Sequence, residues 1–238
     1  QIGWHQPEFH PALLKYWPAL GVEPSQRVFV PLCGRSLDMI WLARRGHPVL
    51  GVELSPIAAT EFFGHESLSV SQSLAGKFIR RAAGRYEILQ GDFFDLSPAT
   101  AGVIGAWYDR AALIALPPDL RARYAEGMAA LLAPGTRGLL ITAEYPQERM
   151  SGPPFAVMEI IAAANARRAV GQDVLNLAAG EPSAGASAVV RRRHSTACWP
   201  CALVPPPSAP WRRGTRVSWS HLTRPKSNMC RSKKRWEG

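Results

Sequence analysis

Five short apolar runs alternate with helix-like segments over the first two thirds of the sequence, and this alternation leaves very few architectures open. Arg27 to Leu32 (RVFVPL) is the first run; CGRS follows, then LDMIWLARRGH, in which Leu37, Ile40, Trp41 and Leu42 share one helical face. Gly46 ends that helix, and Pro48 to Leu54 (PVLGVEL) reads as a second buried strand with the helix-like IAATEFF behind it. Tyr86 to Leu96, Gly102 to Arg110 and Gly138 to Tyr145 supply three more strand candidates, and a helix is expected from about Pro118 to Leu132. Parallel neighbours need helical crossovers, so the pattern predicts an α/β fold on a doubly wound, mostly parallel sheet.

Ligands of such sheets bind outside the carboxyl ends of the strands, and the residues with usable chemistry fall there. Leu32, Cys33 and Gly34 occupy the first strand-to-helix turn, where a glycine permits close backbone approach and the helix start offers free N–H groups to a nucleotide-like ligand. Glu53 ends the second strand at about the spacing from which an acid accepts hydrogen bonds from ribose hydroxyls. No G-x-G-x-x-G is present, so an NAD site loses its main support. Asp92 and Phe93 follow the third strand, suited to accept from an adenine amine and to stack on its ring, and Asp109 and Arg110 close the fourth. Each has a plainer alternative: Gly34 as a simple turn, Glu53 as a solvated carboxylate, Asp92 and Phe93 as strand-end packing, Arg110 as a surface ion-pair partner. Cys33, with no histidine paired to it, reads as a small buried residue rather than a nucleophile.

Charge divides the chain sharply. Residues 1–157 hold 14 of the 28 Lys and Arg and 14 of the 18 Asp and Glu, so the net charge of +10 comes entirely from residues 158–238. A length of 238 residues suits one domain with some excess, and 47% hydrophobic with 19% charged residues excludes wholesale disorder or a fibrous protein. Four cysteines make no disulfide framework, so a reducing cytoplasm is expected. Apolar runs stop well short of the roughly 18 residues a membrane span needs, and no signal peptide is read. The chain opens at Gln1 rather than Met, so residues upstream are expected.

Beyond Val157 the pattern changes. Met158 to Gln172 reads as an amphipathic helix, but an Arg-, Pro-, Trp- and Ser-rich run follows, with seven prolines between Pro182 and Pro225, and disorder or weak packing is expected there. Cys198-Trp-Pro-Cys201 has redox spacing in an unsuitable Pro-rich setting, and His194 with Cys230 is too irregular for zinc, so no metal site is expected. The basic stretch from Trp211 to Trp236 would bind RNA or phospholipid only electrostatically; incidental charge is the preferred account, and a nucleic-acid partner is not expected.

VFVPLCGRSLDMIWLARRGHPVLGVELS, then GDFF, then WYDRAALIALPPDLRARY, then LLITAEYPQERMSGPPF resembles the thiopurine S-methyltransferase family, particularly its bacterial members, from Gln1 to about Val157. The resemblance implies a class I S-adenosylmethionine-dependent, Rossmann-like methyltransferase fold and a monomer. It also implies methyl transfer to the sulfur, selenium or tellurium of a small aromatic or heterocyclic acceptor. The family's cofactor contacts fall on Leu32, Glu53 and Arg110. Arg110 would stabilise a thiolate or orient the water that takes its proton, and Asp109 would orient Arg110 or cap the next helix. Trp4 and Phe9 would line the acceptor mouth or serve as core. The family's N-terminal segment with a cofactor-contacting Trp, and its final antiparallel strands, are not recognisable here, so a domain incomplete at both ends is expected. Met158 to Ala186 instead resembles the opening of a class I pyridoxal-phosphate aminotransferase without its lysine region, and the remainder has the composition of a shifted reading frame. A fused or truncated gene product is the resulting expectation. The alternative is a non-catalytic remnant whose basic tail binds polyanions.

Overall fold

Val28–Val30 form strand β1, three consecutive buried residues in which Val28 and Val30 face one side of the sheet and Phe29 the other. The structure, a computed structural model, describes residues 8–64, 69–149, 151–157, 174–179 and 185–191. Ahead of β1 runs helix α1 (Pro11–Tyr16), with proline at its start and the His10 imidazole accepting from the Ala12 N–H. A 3-10 turn (Trp17–Leu20) follows it. After β1 come α2 (Asp38–Arg44), β2 (Val49–Glu53) and α3 (Pro56–Gly64). A β3 (Ser71–Ala75) and β4 (Phe78–Ala83) hairpin leads to β5 (Tyr86–Gln90), the short α4 (Pro98–Ala101) and β6 (Ala106–Arg110). The chain continues through α5 (Ala112–Ala115), α6 (Pro118–Leu131), β7 (Arg137–Glu144), β8 (Val174–Ala179) and β9 (Gly185–Arg191).

The strands lie in the order β3-β4-β5-β2-β1-β6-β7-β9-β8. From β5 to β7 every pairing is parallel, with Phe29 opposite both Leu50 and Trp107, and an antiparallel pair flanks each edge. Apolar layers cover both faces. Leu13, Trp17, Met39, Leu42, Phe62, Ile88 and Leu139 pack with Val28 and Val30. Leu50, Leu89, Trp107, Tyr124, Met128 and Leu140 pack with Phe29. Each such fully buried side chain contributes about 1.5–3 kcal/mol by leaving water. Helix α6 fits this scheme: Pro118 starts it, Asp119 sits in its positive first turn, and Arg121, Tyr124, Ala125, Met128 and Leu131 form its buried stripe.

Two close approaches fix the sheet's centre. A Cβ on Gly138 would stand 2.0 Å from the Trp107 indole on neighbouring β6, and one on Gly51 would stand 2.5 Å from the Cys33 Sγ. Glycine is required at both positions because a ring or a thiol occupies the space.

The expected alternation is present, and the expected absence of end strands is corrected. β9 pairs antiparallel with β7, placing Val190 opposite Leu139 and Val189 opposite Leu140, and β8 pairs with β9. Backbone N–H and C=O groups along the free side of β7 require partners, and residues 185–191 supply them. The fourth strand begins at Ala106 rather than Gly102, whose φ of +70° breaks an extended run. Strand order reverses at β1, since β2 lies on one side of it and β6 on the other, and that reversal places a crevice at the carboxyl ends of β1 and β6. Among the described residues, no helix is long and apolar enough to cross a membrane. Trp4, His194, Cys198, Cys201 and Cys230 and the Trp211–Trp236 stretch lie outside the described residues.

Candidate functional site

A cavity of about 530 Å³ opens at the strand-order reversal. Its walls are the β1–α2 turn (Leu32, Cys33, Gly34), the start of α2 (Asp38), the first turn of α3 (Ile57, Ala58) and the end of β6 (Tyr108, Arg110, Ala111). Leu32 has φ +45° and Ala111 φ +89°; among the described residues these are the two non-glycine residues in the left-handed region. A side chain held there costs on the order of 1–3 kcal/mol, and such cost gathers where a fold fixes backbone for a ligand. Gly34 has φ +54°, with nothing within 4 Å of where a Cβ would stand. The backbone there faces open space.

Glu53 ties two of these walls together. Its Oε2 accepts the Gly34 N–H and its Oε1 accepts the Ser55 N–H, each at 2.8 Å. A carboxylate has about four acceptor directions, so two remain after those bonds. The Glu53 carboxylate thus reaches the β1 turn that lines the cavity.

Cys33 is 6% exposed, donates its N–H to Val52 O at 2.9 Å and sits in the core layer behind Gly51. Burial, then the Glu53 charge, pushes its thiol well above the usual range. It is a packing residue that also forms part of the wall.

At the end of β6, Asp109 and Arg110 diverge. Asp109 is fully buried and turns away from the cavity: its Oδ1 accepts the Ala112 and Leu113 N–H groups at 3.0 and 3.3 Å, and its Oδ2 accepts from the Tyr124 hydroxyl at 2.7 Å. This is the helix-capping alternative, with α6 clamped as well. Burial raises the Asp109 carboxyl from the ordinary 3.8 to about 6, against the opposing hydrogen bonds. Arg110 turns into the cavity wall, its side chain 14% exposed, with Nε 3.9 Å from Asp38 Oδ2.

Asp92 and Phe93 are not brought to this cavity. Asp92 is exposed and accepts the Phe94 N–H at 2.9 Å, capping the 3-10 turn Phe93–Asp95. Phe93 is buried, stacked 6.5 Å from Phe29 and tilted 4.9 Å from Tyr124. Phe9 packs against the core layer on the α1 side, with the Arg44 guanidinium 6.0 Å from its ring centre.

Asp38 and Tyr108 escaped the sequence reading. Asp38 is 2% exposed, yet it lines the cavity and accepts the His10 N–H at 2.8 Å and the Tyr108 hydroxyl at 2.9 Å. Burial and the Asp38 charge raise the Tyr108 phenol well above its usual range. A buried acid at the start of a helix reads in sequence as an ordinary first-turn residue; only partners 28 and 70 positions away reveal it.

Comparison with known proteins bears on this arrangement. Residues 1–195 match the family described as Thiopurine S-methyltransferase, a span that includes β8, β9 and the region in which an aminotransferase-like opening was read. The chain is 52% identical over 160 residues to the thiopurine S-methyltransferase of Methylococcus capsulatus, covering 67% of this chain and 72% of that protein. It is 50% identical over 157 residues to that of Nitrosospira multiformis, covering 66% and 71%. Among solved structures, the magnesium protoporphyrin IX methyltransferase of Synechocystis PCC 6803 with bound S-adenosylmethionine is similar in fold (TM-score 0.52, 16% identity, 76% of each chain). So is the Burkholderia thailandensis 1,6-didemethyltoxoflavin-N1-methyltransferase with S-adenosylhomocysteine (TM-score 0.50, 18% identity, 77% and 78%). The match over residues 1–195, together with about 50% identity to curated members, shows that this chain belongs to the thiopurine S-methyltransferase family of S-adenosylmethionine-dependent methyltransferases.

Proposed function

We propose that the chain methylates the sulfur, or a selenium or tellurium in its place, of a small aromatic or heterocyclic acceptor. The observation that carries this is the meeting of the β1 turn, the Glu53-tied β2 turn and Arg110 around one cavity at the strand-order reversal. The residues fit S-adenosylmethionine: about 530 Å³ lies within the roughly 300–1,000 Å³ of small-molecule pockets, and Glu53 keeps two acceptor directions for ribose hydroxyls. The bound cofactor supplies an electrophilic methyl on a sulfonium.

Leu32, Cys33 and Gly34 form the backbone wall against which it lies, with Glu53 holding the ribose and Arg110 binding on the opposite side. Positioning supplies most of the acceleration, since in-line displacement by a sulfur already partly ionised near neutral pH needs no protein nucleophile. Arg110 stabilises the thiolate or orients the water that takes its proton. Asp109 acts at one remove, holding α5 at the end of β6. Acceptor contacts from Trp4 and Phe9 belong to the same proposal; Phe9 is one residue from Glu8, which lines the cavity.

Calorimetric titration of S-adenosylhomocysteine into the chain and into Glu53→Ala and Arg110→Ala tests the cofactor roles; saturable binding weakened by both changes is expected. Methyl transfer to thiophenol-type acceptors tests the substrate class. A folded chain that binds the cofactor product but methylates no thiol or selenol would overturn the acceptor assignment.

A further inference from the structure

The Arg110 guanidinium lies in the cavity wall with its Nε 3.9 Å from Asp38 Oδ2, too far for a hydrogen bond, so direct contact does not fix its place. What is fixed is Asp38. Its carboxylate is 2% exposed, its Oδ1 held by the His10 N–H at 2.8 Å and its Oδ2 by the Tyr108 hydroxyl at 2.9 Å. These partners come from different elements. His10 precedes α1 and is two residues from Glu8, a cavity-lining residue, while Tyr108 and Arg110 belong to β6. Tyr108 is itself braced by Trp17, ring centres 6.3 Å apart at 89°, and Trp17 donates its indole N–H to His47 Nε2 at 3.2 Å. One buried negative charge is therefore anchored to α2, the chain before α1 and β6 together, and faces the one cavity-lining arginine of β6.

We propose that Asp38 is the positioning residue of this site: its anchored carboxylate sets the place of the Arg110 guanidinium and holds the residue 8–10 segment as the adjoining wall. Asp38 itself makes no contact with the reacting atoms; it acts through Arg110. In a nearly dry wall a charge pair at this separation remains a strong attraction, and a displacement of about 1 Å at a ligand-holding group is enough to cost a large share of binding or rate. This inference rests on the cofactor site proposed above.

The test is a cycle of four proteins: the unaltered chain, Asp38→Asn, Arg110→Ala and the double variant, each titrated calorimetrically with S-adenosylhomocysteine and checked by circular dichroism. Asparagine keeps the size of the side chain and an acceptor for the His10 N–H while removing the charge. Asp38→Asn is expected to weaken binding about tenfold in the chain with Arg110 and by less than twofold in the Arg110→Ala background. Equal weakening in both backgrounds, or unchanged or tighter binding in the folded single variant, would overturn the proposal, since a purely structural role does not depend on Arg110. If Asp38→Asn does not fold, Tyr108→Phe, which keeps the charge but removes the hydroxyl that anchors its Oδ2, takes its place. It is expected to weaken binding at least about threefold in the chain with Arg110 and less than twofold in the Arg110→Ala background, and unchanged binding, or equal weakening in both backgrounds, sinks the idea. Absence of binding by the unaltered chain is a separate outcome, which removes the cofactor site itself.

Discussion

Asp109 provides the sharpest test of how the end of β6 is built. Its carboxyl is fully buried, accepts three hydrogen bonds and is nonetheless raised from 3.8 to about 6, because those bonds do not offset the loss of water around the charge. A group whose pKa is higher in the folded than the unfolded chain adds stability in full below pH 3.8, and that stability is lost as pH rises through about 6. The rise is worth about 3 kcal/mol at 1.36 kcal/mol per pH unit. Asp109→Asn has no charge to bury and keeps an oxygen for the Ala112 and Leu113 N–H groups, with an amide N–H to donate to the Tyr124 hydroxyl. Urea unfolding of both proteins from pH 4 to 8 is the assay. Relative to Asp109→Asn, the unaltered chain should lose about 2 kcal/mol between pH 4 and 7, the rest of the span having gone by pH 4 as the unfolded carboxyl ionises, and contributions from other groups cancel in the difference. A difference that stays flat with pH would refute the burial argument. Asp109→Ala, by contrast, leaves two helix N–H groups and a buried hydroxyl without their partner and should destabilise by about 2–4 kcal/mol at pH 4, a difference that shrinks toward pH 7 as the unaltered chain loses its own Asp109 contribution.

Other substitutions probe the remaining framework. Gly138→Ala forces a methyl into the Trp107 indole and should cost at least about 2 kcal/mol, read as a drop in urea midpoint; an unchanged midpoint would show that the ring yields freely. His47 is held neutral by burial, with Nε2 accepting from Trp17 and Nδ1 facing Gln26 O, so its pKa lies below 6.5. The sign is therefore opposite to that of Asp109: the stability it contributes is complete above pH 6.5 and falls below it, a slope that His47→Gln should abolish in acid titrations followed by tryptophan fluorescence. Alkylation of Cys33 by iodoacetamide, followed on its own peptide by mass spectrometry, should be far slower in the folded than the unfolded chain at pH 8. Cys33→Ala should retain S-adenosylhomocysteine affinity within about threefold, whereas a tenfold loss would assign the thiol a binding role.

Which features the sequence exposed follows from where their causes lie. β1 and β2 are buried on both faces and appear as apolar runs that need no knowledge of their neighbours, while β5, β6 and β7 keep an apolar centre (Ile88-Leu89, Ala106 to Tyr108, Leu139 to Ile141) beside charged or polar residues such as Glu87, Asp109 and Arg137. The β3–β4 hairpin passed unread because SQSLA is exposed along nearly its whole length and presents no apolar face; its turn at Gly76, φ +60°, was the available signal. β8 and β9 owe their place to the open edge of β7, a cause that lies elsewhere in the chain. The apolar run PVLGVEL places Glu53 at the end of β2, and the βαβ unit brings its carboxylate to the Gly34 N–H, a contact that spacing alone does not specify. Asp92 and Phe93 satisfy the same strand-end logic, but the 3-10 turn after β5 carries the ring into the core and the carboxylate onto its own backbone. Asp38 derives its significance from His10 and Tyr108, and no local pattern joins the three.

Glu53 also has a bearing on motion. The loops after β1 and β2 belong to different βα units, yet the Gly34 and Ser55 amides close on the two oxygens of one carboxylate. Rotation of that carboxylate breaks both hydrogen bonds at once, so neither loop loses its Glu53 bond by that motion without the other. A ligand that held the carboxylate in place would therefore act on both loops through one side chain.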